Sequence, residues 1–317
     1  MNSSPSATPS IERLVSLLDS MVEGESAVEQ LIARGQPSVP YLERFLLSSP
    51  PRSLALPRCR AVRALGELGA YPVLIAYFRC YTRPDDAAVL FAEDAVRSAA
   101  AEELLHCRGE VVFPVLLDAV RQRATGGLVR SLGEFRRAEA IPAFFELLED
   151  DLCREDAKEA LRKSAAAAHA FAVFLLRGQT AVPFAGPGAS RRRRATLQLL
   201  AEWGVSAAEW PELRGFLWDD DMDCVIAAAR VGMRLGESHQ EAIAEALIEG
   251  SGRMNWAQET DAVEMLDSCG EIARAVAARI AEHRRSLGEK PEWTSPFWRT
   301  LHHLLGGSLQ ARFGGVA

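Results

Sequence analysis

Four consecutive arginines, Arg191–Arg194, are followed within one short stretch by Trp203, Trp210 and Trp218. These are the residue types best suited to recognition. A guanidinium grips carboxylate or phosphate through a planar fork of donors. Trp and Arg dominate the residues that carry binding energy at interfaces. All six tryptophans lie in the C-terminal half, and the chain has a formal net charge of −7. A block of four cations therefore stands out locally and attracts acidic groups over ~8–10 Å in ordinary salt. Arg191, Arg192, Arg193, Arg194, Trp203, Trp210 and Trp218 form the candidate partner-binding site, for an acidic protein or peptide. On this reading the arginines are exposed, and reversing two of them leaves the thermal midpoint nearly unchanged. The competing reading is a solvated helix start whose aliphatic stems cover apolar neighbours.

Chemistry is less legible. Asp219-Asp220-Asp221-Met222-Asp223 invites a calcium reading, but a calcium loop needs oxygen ligands at alternate positions, a central Gly and a distal Glu. Met222 and Cys224 break that pattern. Carboxylates at a helix N-terminus explain the run better, since they accept from its orphan N–H groups. The six histidines show no H-E-x-x-H, and His302-His303 diverge by ~100° on a helix. G-x-G-x-x-G, Walker A and G-x-S-x-G patterns are missing. No catalytic residue, metal or cofactor is assigned.

The 33 Arg against 3 Lys, counted from the sequence, fit either anion recognition or a GC-rich genome that also supplies abundant alanine. The six cysteines make no C-x-x-C pair, which points to a reducing, cytoplasmic setting. The Ser/Pro-rich N-terminus has no basic-plus-apolar leader. No stretch reaches ~18 uninterrupted apolar residues, so no membrane span is expected.

The elements that position these residues are amphipathic helices. Ala61, Ala64, Leu65 and Leu68 share one face, and Gly69 ends the stretch. Upstream, Ser38–Leu47 forms a second helix with Pro40 in its first turn, where a missing N–H costs nothing. Pro50, Pro51 and Pro57 are expected in the loop between them. The pair recurs: Pro40, Pro72, Pro114, Pro142 and Pro211 each open an apolar helix, at intervals of 32, 42, 28 and 69 residues. The last interval fits two units. A helical-pair period of this size means a solenoid, here of about seven to nine pairs and with no sheet.

An apolar helix opened by Pro, an acidic turn, then R-x-x-A-x-x-A-L-x-x-L-G resembles the HEAT repeat. It is most similar to the short bacterial, phycobilisome-lyase-like variety, over roughly 38–270. The resemblance implies an all-α, right-handed α-solenoid, spanning 11–288 with a bend or protruding loop at 179–190. Residues 1–10 are expected to be disordered, and 289–317 to form a capping helix and loose tail. HEAT arrays mostly serve as binding scaffolds, so the resemblance implies a non-enzymatic adaptor for a partner protein or peptide. HEAT-like alkylpurine glycosylases hold damaged DNA in a basic groove, which makes nucleic acid the alternative partner. Chromophore lyase activity is a weaker third option, resting on repeat type alone.

Overall fold

The computed structural model describes residues 9–107, 109–177, 187–236, 239–250, 252–267 and 270–288. The expectations for 1–8, for most of the 179–190 loop and for the 289–317 cap and tail lie outside these residues. Among the described residues every regular element is helical and no strand occurs. No helix among them is long and apolar enough to cross a membrane. The chain divides into two compact units, 1–164 and 165–317.

The first unit contains α1 (Ile11–Leu17), α2 (Gly24–Arg34), α3 (Val39–Glu43), α4 (Leu56–Glu67) and α5 (Tyr71–Arg79). After them come α6 (Ala87–Leu104), α7 (Val112–Gln122), α8 (Gly126–Gly133), α9 (Ile141–Leu147) and α10 (Arg154–Lys163). Helices α2, α4, α6, α8 and α10 pack on one another in succession, and each takes its preceding helix as a second partner. The result is a row of helix pairs with apolar contacts between them. Leu42, Leu65, Leu74, Leu104, Leu116 and Phe144 are core side chains of this row, each essentially fully buried. Burial of a Leu or Phe side chain contributes ~1.5–3 kcal/mol.

Local signals set the boundaries. Ser10, Asp86 and Thr125 each accept from a backbone N–H of the helix they begin. Gly69 ends the α4 stretch at φ 66°, a left-handed conformation that glycine adopts without steric cost. Two boundaries differ from the sequence reading. Pro57 is not in a loop: α4 starts at Leu56 and carries Pro57 in its first turn. The expected Ser38–Leu47 helix is also not uniform. It begins as a 3-10 turn over Gln36–Ser38, continues as α3, and widens into a π-turn over Arg44–Ser48.

Arginines tie the pairs together. Helix C-termini leave carbonyls without intrahelical donors. Arg60 of α4 donates to the carbonyls of Leu18 and Ser20 beyond α1, each at 2.8 Å. Arg58 donates to the Leu46 carbonyl at 2.8 Å, Arg154 to that of Leu148 at 2.9 Å. Arg97, fully buried, spans the Ala119 and Arg123 carbonyls at the end of α7 and lies 4.1 Å over the Tyr81 ring. In each case one planar, multi-donor head closes a helix end, a geometry lysine cannot reproduce.

The second unit contains α11 (Ala165–Leu176), α12 (Pro187–Trp203), α13 (Trp210–Leu213), α14 (Met222–Arg234), α15 (Gln240–Gly250), α16 (Trp256–Asp267) and α17 (Gly270–Ser286). Helix α13 runs directly into a 3-10 segment, Arg214–Trp218. Helices α12, α14 and α16 pack in succession, while α11 meets α13 and α15 meets α17. Alternate helices thus pack on one another here too, but α16 takes the following helix α17, rather than the preceding α15, as its second main partner. Because α12 starts at Pro187, the last residues of the expected 179–190 loop form its first turn.

Candidate functional site

The seven residues singled out from the sequence all lie in the second unit, and Trp210 and Trp218 among them line one cleft. The acidic turn 219–221 leads into α14. Asp221 caps that helix by accepting from the Asp223 N–H at 3.0 Å, and Asp219 accepts from the Asp221 N–H at 2.9 Å. The capping reading of the aspartates is therefore the one their geometry follows.

The same carboxylates hold the arginines of α12. Arg193 faces Asp219 at 3.2 Å, and Arg194 lies 2.7 Å from Asp223 and 3.6 Å from Asp221. Ser190 donates to Asp221 as well. Arg191 and Arg192 are half-buried. The expectation of an exposed cationic block is thus corrected at Arg193, which is buried. The physical reason is that four consecutive helical residues point all round. At least one must face the neighbouring helix, and here the facing turn is acidic.

The tryptophans divide three ways. Trp203 is half-buried, with its ring 6.3 Å from that of His169. His169 in turn makes a 2.9 Å hydrogen bond from Nε2 to the Gly204 carbonyl and lies 3.6 Å from Glu209. Hydrogen bonds from the Ser206 hydroxyl and N–H hold the Glu209 carboxyl below its ordinary range, with His169 adding to the effect. This corner is a buttress between α11 and the turn before α13.

Trp210 and Trp218 do come together, at the two ends of the α13–3-10 segment. They line a cleft of about 620 Å³ with Pro211, Arg214, Leu217 and His239. Trp210 is buried and forms the floor; Trp218 is 51% exposed and forms the rim. The Trp210 ring sits 5.5 Å from the His239 ring on one side. On the other it lies against Gly232, where an added Cβ would fall 2.8 Å from the ring edge. Glycine at 232 is what lets the indole lie so close to α14. Glu212, also in the lining, is engaged by Arg177 at 3.4 Å. Arg214 is exposed and brings the cleft's other charge. The arrangement offers two indoles, an imidazole and a guanidinium around an open trough. That suits an extended chain with apolar or proline side chains and a carboxylate.

Arg214 and His239 were missed by sequence reasoning. A single Arg four residues after Trp210, and a single His a whole helix later, carry no spacing signal. Only the turn from the 3-10 segment through α14 to α15 brings them together.

Against protein-family models, curated proteins and solved structures, the chain matches none. Site geometry alone therefore carries the functional argument.

Proposed function

We propose that the chain is a HEAT-like, right-handed α-solenoid that acts as a non-enzymatic scaffold, binding an acidic protein segment or peptide in the Trp210–Trp218 cleft. The observation that carries this reading is the exposed Trp218 over a preformed aromatic floor, with Arg214 beside it. An exposed indole at the rim of a cleft of this size is costly in water and is recovered when a partner covers it. The stacking of alternate helices and the arginine-closed helix ends support the repeat assignment. A cytoplasmic, bacterial setting belongs to the same proposal; the five described cysteines are all unpaired, which is compatible with it.

The nucleic-acid alternative has less support. Phosphate binding draws on several free cations in one groove. Arg193 and Arg194 instead face Asp219, Asp221 and Asp223. The test is a titration of labelled single- and double-stranded oligonucleotides at about 50 and 200 mM salt, run beside affinity capture and mass spectrometry. The scaffold reading expects protein capture and no saturable oligonucleotide binding. Tight binding that weakens by ~10³-fold or more between those salts would favour the alternative.

A further inference from the structure

The large apolar side chains left exposed on the first unit are not scattered at random. Among its described residues these are Met21, Val22, Leu54, Phe91, Val111 and Leu152. All but Val111 lie within four residues of the start of α2, α4, α6 or α10, in or beside the turn that joins the two helices of a pair. Their exposure runs from 53% to 90%. A single exposed apolar residue needs no explanation, but confinement to one kind of turn does.

A chain of polar contacts places these turns along one edge of the unit. Arg60 of α4 reaches the Leu18 and Ser20 carbonyls, directly before Met21. Arg52, two residues before Leu54, faces Asp19 at 3.4 Å. Arg58 of α4 faces Glu93 at 3.3 Å, two residues after Phe91. Asp94 holds Arg123, in the turn before α8, at 2.6 Å. Arg130 of α8 then meets Asp156 of α10 at 3.0 Å, four residues after Leu152. The turn before α8, Arg123-Ala124-Thr125, is the one that adds no large apolar tip.

The charge of this edge is one-sided. Between the helices of each pair the exposed carboxylates are Asp19, Glu23, Asp85, Asp86, Asp150 and Asp151, whereas the exposed guanidiniums are Arg52 and Arg83. Pairing of Asp19 with Arg52, and of Asp151 with the half-buried Arg154, still leaves the edge acidic. Anionic lipid and nucleic acid are therefore disfavoured partners. Packed helices lie ~8–10 Å apart, and two turns of a helix rise ~11 Å. An apolar residue recurring every two turns along a docked helix thus matches the step from one of these turns to the next.

We propose that this edge docks a basic amphipathic helix of a partner protein. Its apolar stripe lies on Met21, Val22, Leu54 and Phe91, and its Lys/Arg flanks face the carboxylates. Leu152 continues the surface beyond α8. The site belongs to the first unit and does not depend on the Trp210–Trp218 cleft, whose proposed occupant is acidic.

The test uses the full chain carrying Trp218→Ala, so that the cleft contributes nothing. A phage library of helix-forming peptides with randomised surface positions is selected on it. Enriched peptides are synthesised and titrated by fluorescence anisotropy at about 150 mM salt, where only short-range charge contacts persist. The proposal expects peptides with net positive charge and apolar residues at i, i+3 or i+4, and i+7. Adding Val22→Ser with Phe91→Ser should weaken their binding about tenfold or more, as loss of two anchor contacts does, with an unchanged thermal midpoint. Adding Val111→Ser instead should leave binding unchanged. No enrichment, enrichment of neutral or acidic peptides, or undiminished binding in the double-serine variant overturns the proposal. Cosedimentation with phosphatidylcholine vesicles that the double-serine variant loses overturns it in favour of a lipid surface.

Discussion

Arg193 and Asp219 meet at 3.2 Å with only 9% and 8% of their side chains exposed. One belongs to α12 and the other to the turn that starts α14, so the pair joins consecutive members of a helix row. Taking one charge away leaves the other buried and uncompensated, which costs about 3–5 kcal/mol. Arg193→Met should therefore lower stability by that amount in a denaturant titration, and Asp219→Asn combined with it should recover part of the loss. A change below about 1 kcal/mol for Arg193→Met would mean that the pair is solvated and contributes little.

Arg97 makes the corresponding prediction in the first unit. Its two Nη atoms reach two different carbonyls, of Ala119 and Arg123. Arg97→Lys retains the charge but offers one compact ammonium on a shorter reach. At least one carbonyl then loses its donor, at about 1–3 kcal/mol. Thermal unfolding of Arg97→Lys against wild type is the measurement, and an unchanged midpoint would show that the guanidinium fork is dispensable.

Leu65 is fully buried in α4, facing the row formed with α2 and α6. Leu65→Ala should cost ~2–5 kcal/mol, because rigid helix–helix contacts on both sides cannot collapse into the space. Chemical denaturation gives the number directly.

Thiol chemistry separates the cysteines by depth. Burial pushes the Cys153 thiol up to about 11, and the Asp150 and Asp156 carboxylates add to the effect. Burial also pushes Cys224 strongly up. Cys80 is exposed. In the unfolded chain a thiol ionises near its ordinary value of about 8.5. Between there and 11 the unfolded state sheds a proton from Cys153 that the folded state keeps. Stability is thus full below about pH 8.5 and falls as pH rises toward 11, by up to ~1.4 kcal/mol per pH unit for each such thiol. Iodoacetamide at pH 8 should label Cys80 rapidly, and Cys153 and Cys224 only after denaturant is added. Equal labelling rates in the folded protein would contradict this.

Much of the architecture was legible because helical periodicity and punctuation act locally. The Ala61–Leu68 stripe, the prolines at 40, 72, 142 and 211, and Gly69 each specify an element with no tertiary information. The α4 start was missed because Pro57 suits a loop and a first helical turn equally well. The π-turn at Arg44–Ser48 has no periodic signature at all. The candidate site was half legible. Trp210 and Trp218 are close in sequence and line one cleft, whereas Arg193 and Arg194 are turned by helical geometry onto Asp219–Asp223. The arginine excess also has a third reading that composition could not reveal. Arg58, Arg60, Arg97 and Arg154 close the carbonyl ends of helices.

The most direct test of the scaffold reading needs no knowledge of the natural partner. A random peptide library displayed on phage is selected in parallel on immobilised wild-type protein and on Trp218→Ala. The account predicts that the wild type enriches acidic peptides with apolar or proline residues. Trp218→Ala, with an unchanged thermal midpoint, should bind the same peptides about 30-fold more weakly, the loss expected for a hot-spot tryptophan of ~2 kcal/mol. No enrichment on the wild type, or peptides that bind Trp218→Ala equally well, would contradict the assignment of this cleft as the binding site.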